Sequence, residues 1–170
     1  MTDAPREIAE GIAKAMQTET DGYHFYMMAA SATTDEQGKE VFNQLAQEEL
    51  SHLRYLKAQR EALLTTGKAD PTVKVGTGVD LTGENPIFSA DLKGRITEAH
   101  FEMSALSIGI TLELASEKHY REQAGSMSNP ELAAFFEALA NWEAGHYRAL
   151  LRQLEELKED YWSSGGFAPW

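Results

Sequence analysis

The sequence predicts an all-α fold: a four-helix bundle built from two helix hairpins joined by a long crossover. Three observations lead there. Apolar residues recur at steps of three, four and seven along four long stretches, which is the period of an amphipathic helix. Within each half only a few residues separate one stretch from the next, so the two helices should fold back as antiparallel neighbours. Shifting the sequence by 94 positions also aligns the two halves without a gap.

Taken in order, the first helix is expected over about 5–32. Asp3 or Thr2 would cap it, Pro5 and Glu7 suit its first turn, and Ile8, Ile12, Ala15, Glu19, Tyr26 and Ala30 share a stripe. Thr34-Asp35-Glu36-Gln37 is a capping-box pattern that starts a second helix over about 35–65. Its stripe is Phe42, Leu45, Glu49, His52, Leu56 and Leu63, and Thr65-Thr66-Gly67 ends it. The crossover, 66–96, carries five glycines and two prolines and no sustained stripe, with Phe88–Lys93 expected as a short helical turn. A bundle with a long crossover gives such a stretch a reason to exist.

The third helix is expected over about 97–124, with Met103, Leu106, Ile110, Glu113, Tyr120 and Ala124 on its stripe and Gly125 as its stop. Ser128-Asn129-Pro130-Glu131 starts the fourth, over about 130–159. Leu132, Phe136, Leu139, Glu143, His146, Leu150, Leu154 and Leu157 line it. The aromatic tail, Tyr161 to Trp170, reads as an irregular segment packed back on the bundle. All 170 residues are expected to form one domain.

Composition narrows the function classes. There is no cysteine, so disulfides and Cys-ligated metal centres are excluded. A net charge of -12 disfavours nucleic acid and anionic membranes as partners. No stretch approaches a membrane span, and the first residues lack the features of a secretory signal, so the expected location is the cytoplasm.

The chemistry lies in residues that interrupt the apolar stripes. Glu49-Leu50-Ser51-His52 and Glu143-Ala144-Gly145-His146 each place a carboxylate and an imidazole three residues apart, side by side on a helix. With 5 histidines in 170 residues, chance yields about 0.6 Glu-x-x-His pairs, so a single match carries little weight. Here there are two, related by the repeat, and each follows a glutamate by 30 positions: Glu19 before Glu49, Glu113 before Glu143. A buried charge is costly unless it is paired or binds a metal. Four carboxylates balance two divalent cations, and carboxylate with imidazole suits iron, manganese or zinc. One glutamate from each of two helices and Glu-x-x-His from each of the other two is the ligand set of di-iron and di-manganese carboxylate bundles. The alternative is a buried network of glutamates and histidines alone, which would leave excess negative charge and raise carboxyl pKa values.

With these motifs, the sequence resembles rubrerythrin-type ferritin-like proteins over essentially 5–160. The resemblance rests on the two Glu-x-x-His motifs, the two upstream glutamates each followed seven residues later by a tyrosine, and the long crossover. It implies a ferritin-like bundle holding two iron ions, with manganese as the alternative. The implied ligands are Glu19, Glu49, His52, Glu113, Glu143 and His146, with Glu49 and Glu143 bridging. Tyr26 and Tyr120 would donate hydrogen bonds to ligand carboxylates. The implied activity is an oxidoreductase reacting with hydrogen peroxide or dioxygen, a peroxidase in type, in a homodimer. The rubredoxin module common in the family needs cysteines, so a separate electron-donor protein is expected. Many rubrerythrins also carry an extra glutamate three residues after the third-helix ligand, where this chain has Ser116 followed by Glu117. Iron(II) oxidation and storage, a di-manganese catalase and a metal-stapled structural bundle remain as alternatives.

Other polar residues receive blander readings. His24, His100 and His119 are expected at the surface or in packing, and Glu48, Glu102 and Glu117 on solvated faces. The repeat pairs Glu48 with Trp142, which argues against a symmetric role. Met16, Met27, Met28 and Met103 are expected as core filler.

Overall fold

The computed structural model describes residues 4–73 and 87–164. Among these, the helices are α1 (Ala4–Ala32), α2 (Glu36–Thr66), α3 (Ala90–Gly94), α4 (His100–Ser126) and α5 (Pro130–Ser164), with a 3-10 turn at Ile96–Glu98 and no strands. The fold is therefore the all-α, ferritin-like helical bundle expected. Helices α1 and α2 pack as one hairpin and α4 and α5 as the other, and α1 lies against α4. None of the described helices is long and apolar enough to cross a membrane. The expected caps Thr2 and Asp3, the crossover glycines 76, 78 and 83, and the end of the tail, 165–170, lie outside the described residues.

Several boundaries move for local reasons. The cap of α2 is Asp35 itself, whose carboxylate accepts from the Gly38 amide at 2.8 Å. Gly67 closes α2 in the left-handed region, φ 73°, with its N–H on Leu63 O at 3.0 Å, where glycine carries no Cβ penalty. The expected short turn forms as α3, capped by the Ser89 hydroxyl. The third long helix begins at His100 rather than 97, because the 3-10 turn first drives Ile96 and Ala99 into the core. The fourth runs on through Tyr161–Ser164, so the tail's first residues are helical. No helix-stopping residue intervenes before Gly165, and Tyr161 packs on the core with its ring edge-on to His100.

Two apolar clusters make the core. One gathers Tyr26, Phe42 and Leu45 from the first hairpin with Leu106, Leu150 and Leu157 from the second. The other gathers Ile12, Leu56 and Leu63 with Tyr120, Phe136 and Leu139. A shift of 94 converts each set into the other. Along each long helix the clusters lie on opposite sides of the polar intrusions, so the bundle is sealed by hydrocarbon at both ends of its polar centre.

Two glutamines at repeat-equivalent positions hold the crossover. Gln59 exchanges two 2.8 Å hydrogen bonds with the backbone of Asp70 where the crossover leaves α2. Gln153 accepts from the Ile87 amide at 2.7 Å where it returns. Asp35 binds the returning chain as well, accepting from the Ser89 amide and hydroxyl. Phe88 then inserts so close to α2 that a Cβ at Gly38 would lie 2.5 Å from its ring.

Candidate metal centre

All six residues singled out by the repeat converge at mid-bundle, and all are buried: Glu19 from α1, Glu49 and His52 from α2, Glu113 from α4, Glu143 and His146 from α5. They form two groups, each with its ligand-type atoms within 4.8 Å of one another. One group is Glu19, Glu49, His52 and Glu143; the other is Glu49, Glu113, Glu143 and His146. Glu49 and Glu143 belong to both. Helical spacing explains why each Glu-x-x-His offers both side chains to one point, since residues three apart face the same way.

The hydrogen bonds run crosswise between the hairpins. Tyr26, on α1, donates to Oε1 of Glu113 on α4, and Tyr120, on α4, donates to Oε1 of Glu19 on α1. Each terminal carboxylate thus has one oxygen held by a phenol while the other faces an imidazole. Glu19 Oε2 lies 3.1 Å from His52 Nδ1, and Glu113 Oε2 lies 3.5 Å from His146 Nδ1. Both histidines turn Nδ1 inward, and their rings lie nearly parallel at 6.5 Å. His52 Nδ1 is also 3.5 Å from Glu143 Oε1 and 4.0 Å from Glu49 Oε2.

Such crowding forces an alternation of charge. Burial, then the charges of Glu19 and Glu143, pushes the Glu49 carboxyl well above the usual range. Burial, then the charge of Glu113, does the same to Glu143. Burial also works against ionised Glu113, but the neighbouring Glu143 carboxyl and His146 ring, with the Tyr26 hydroxyl, overcome it and hold that carboxyl down at about 2. Glu19 is lowered in the same way, its hydrogen bonds to Glu49 and His52 outweighing burial. Both imidazoles are raised despite burial, His52 chiefly by Glu19 and His146 chiefly by Glu113. Burial, then the nearest carboxylate, raises Tyr26 and Tyr120 well above their ordinary value, so both remain neutral donors. Without metal, the raised carboxyls and raised imidazoles all favour holding protons, which offsets negative charge at the centre.

The residues suit a pair of cations for a second reason. Among the described residues, three buried atoms facing the centre have no hydrogen-bond partner: Glu113 Oε2, Glu143 Oε1 and His146 Nδ1. Buried polar atoms without partners are costly, and these are oxygen and nitrogen atoms of the kind that ligate first-row metals.

Several expectations need correction. Glu48 is buried, not solvated, and accepts a hydrogen bond from His146 Nε2 at 2.6 Å. Its helical position does point about 100° from Glu49, but that direction leads to α5 rather than to water. Glu102 is buried too, accepting from the Thr33 hydroxyl at 2.7 Å, and belongs to neither group at the centre. Met27 and Met28 are exposed, whereas Met16 and Met103 pack on the core as expected. Trp162, in the aromatic tail, is exposed. Glu117 is half-buried and paired with Arg121 at 2.9 Å. His24 and His100 are exposed and His119 is half-buried. Gly22 escaped notice altogether: a Cβ there would lie 3.0 Å from Glu49 Cδ, so the glycine makes room for a shared carboxylate. Its signal was present in the repeat, which pairs it with Ser116.

A family model described as Rubrerythrin matches residues 1–77 and 104–165, and the chain belongs to that family. The match spans both hairpins and omits most of the crossover. No curated protein and no solved structure matches the chain.

Proposed function

We propose that this protein is a di-iron oxidoreductase that reduces hydrogen peroxide, or dioxygen, with electrons from a separate donor protein. Glu19 and His52 would hold one ion, Glu113 and His146 the other, and Glu49 and Glu143 would bridge them. The observation that carries the reading is the sharing of Glu49 and Glu143 between two four-residue groups. A single-ion site or an ion-pair network has no need of that arrangement. Two bound irons would supply redox equivalents and exchangeable coordination positions.

The chain's own residues do the rest. Tyr26 and Tyr120 each hold one oxygen, of Glu113 and Glu19 respectively, and the other oxygen of each carboxylate faces a histidine of the centre, where it would ligate. The two apolar clusters exclude bulk water, which strengthens every charge interaction inside. Reduction of peroxide to two waters consumes two protons and two electrons. Iron-loaded protein given a reductant should consume peroxide well above the rate of a Glu49→Ala variant. Equal rates would discard the reading.

Iron(II) oxidation with iron buffering is the second reading, and one observation favours it. At the position of the extra family glutamate stands Ser116, and Glu117 is engaged with Arg121 outside the cluster. Preference for peroxide over dioxygen as oxidant would separate the readings. Manganese in place of iron is decided by elemental analysis and an optical spectrum of freshly purified protein. The assembly we propose is a homodimer. Phe101, Ile108 and Leu114 on α4 and Met27 and Met28 on α1 are exposed apolar residues that support it, and sedimentation of the metal-loaded protein tests it.

A further inference from the structure

The two histidines of the centre have different outer partners. His146 Nδ1 faces the carboxylates, and its other nitrogen, Nε2, is bonded to buried Glu48 at 2.6 Å across the α2–α5 interface. His52 also faces the carboxylates through Nδ1, but its Nε2 is buried with no hydrogen-bond partner among the described residues. The residue at the position equivalent to Glu48 is Trp142, whose ring lies edge-on to the His52 ring at 5.2 Å and 70°. An indole offers a donor and no acceptor, so Trp142 cannot receive the His52 N–H as a carboxylate would. A ligand histidine whose far nitrogen donates to a carboxylate is fixed in tautomer and orientation and is a stronger ligand.

We propose that Glu48 is a positioning residue that makes the two metal positions unequal, so that the position served by His146 and Glu113 fills first and holds its ion more tightly. The inference rests on the di-metal reading above. Glu48 acts through His146 and touches no ion. Its carboxylate adds negative charge on one side only, while Trp142 leaves the other side with an apolar neighbour.

Two neighbouring dications repel, so binding in two steps occurs even at a symmetric centre. The discriminating quantity is where the first ion sits. Metal-free protein given one equivalent of cobalt(II), crystallised and measured by anomalous scattering, should show most of the cobalt beside His146. Equal occupancy beside His52 and His146, or excess beside His52, overturns the inference. In solution, calorimetry and the visible cobalt bands should show that Glu48→Gln weakens the tighter step by about 10–100-fold and leaves the weaker step nearly unchanged. Equal weakening of both steps overturns it as well. Should the variant fail to fold, the wild-type occupancies decide the matter alone. Failure of the wild type to bind any cobalt would overturn the di-metal reading itself, a result distinct from equal occupancy.

Discussion

The two hairpins carry the same centre but meet it with different surroundings. Six residues at the centre, two phenols, two crossover-holding glutamines and most of the core obey the 94-residue shift. Among the described residues, several differences break it. Glu48 stands where Trp142 stands, and Gly22 where Ser116 stands. The crossover adds Ile87, Phe88, Leu92 and Ile96 to one core cluster only. Helix α5 has 35 residues against 31 in α2. Symmetry is kept among the carboxylates and imidazoles of the centre, and broken beside them and in the crossover. Glu48→Gln weakens one of these differences.

The largest expected effect comes from breaking the two carboxylates proposed to bridge the ions. Glu49→Ala and Glu143→Ala should each lose both ions, because each removes an oxygen from both groups. The drop in affinity should exceed the roughly 100-fold cost of losing an outer hydrogen bond to a ligand. Glu19→Ala and Glu113→Ala should each lose mainly one ion. Metal content per chain after desalting measures both comparisons. Equal losses in all four variants would show that the centre does not divide into two groups.

A second test uses pH. Glu49 and Glu143 are raised when folded, so above the ordinary value of 4.5 the folded, metal-free chain holds protons that the unfolded chain has released. The raised histidines extend that imbalance above 6.5. Stability of the metal-free protein should therefore fall as pH rises through this range. Glu113 acts oppositely at the acid end, its contribution being lost as pH falls from 4.5 through about 2. Metal must displace the held protons, so apparent affinity should rise with pH and loading should abolish the loss of stability. Thermal melts with and without manganese(II) across pH read this out. A metal-free melting temperature that climbs from pH 5 to 8 would contradict the charge alternation.

Smaller effects probe the phenols. Tyr26→Phe and Tyr120→Phe each remove a hydrogen bond to a buried carboxylate, at a cost of about 1.5–3 kcal/mol. The two costs should be equal within error if the crosswise pattern is symmetric, as chemical denaturation would measure. Smallest is the contrast between Gly22→Ala and Ser116→Ala. The first presses on Glu49 and should cost about 1–3 kcal/mol by overpacking. The second should cost less than about 1 kcal/mol, since it only removes a hydroxyl for which no hydrogen bond is seen among the described residues.

Much of this was legible in the sequence because helices have a short, regular period. Glu19, Glu49, His52, Glu113, Glu143 and His146 stood out as charges on apolar stripes, and the repeat tied them together. Local start signals around Asp35 and Pro130 marked two helix beginnings. Glu48 was not legible, because its helical direction says only that it leaves the Glu49 face, not whether water or α5 waits there. Met27 and Met28 were misjudged for the mirror reason: an apolar residue does not reveal whether a neighbouring helix covers it. Gln59 and Gln153 were invisible as a pair, since their partners are backbone groups of the crossover.

The sequence by itself determined the helices, the hairpin pairing and the membership of the centre, because each depends on spacing along one chain or on comparison of its two halves. Only the tertiary structure decided what lies across each interface. It set the crossing of Tyr26 to Glu113 and Tyr120 to Glu19, the contact of Glu48 with His146, and the room that Gly22 leaves for Glu49. Those contacts depend on how two helices are rotated and set against each other, and packing of the whole core fixes that rotation rather than any local run of residues.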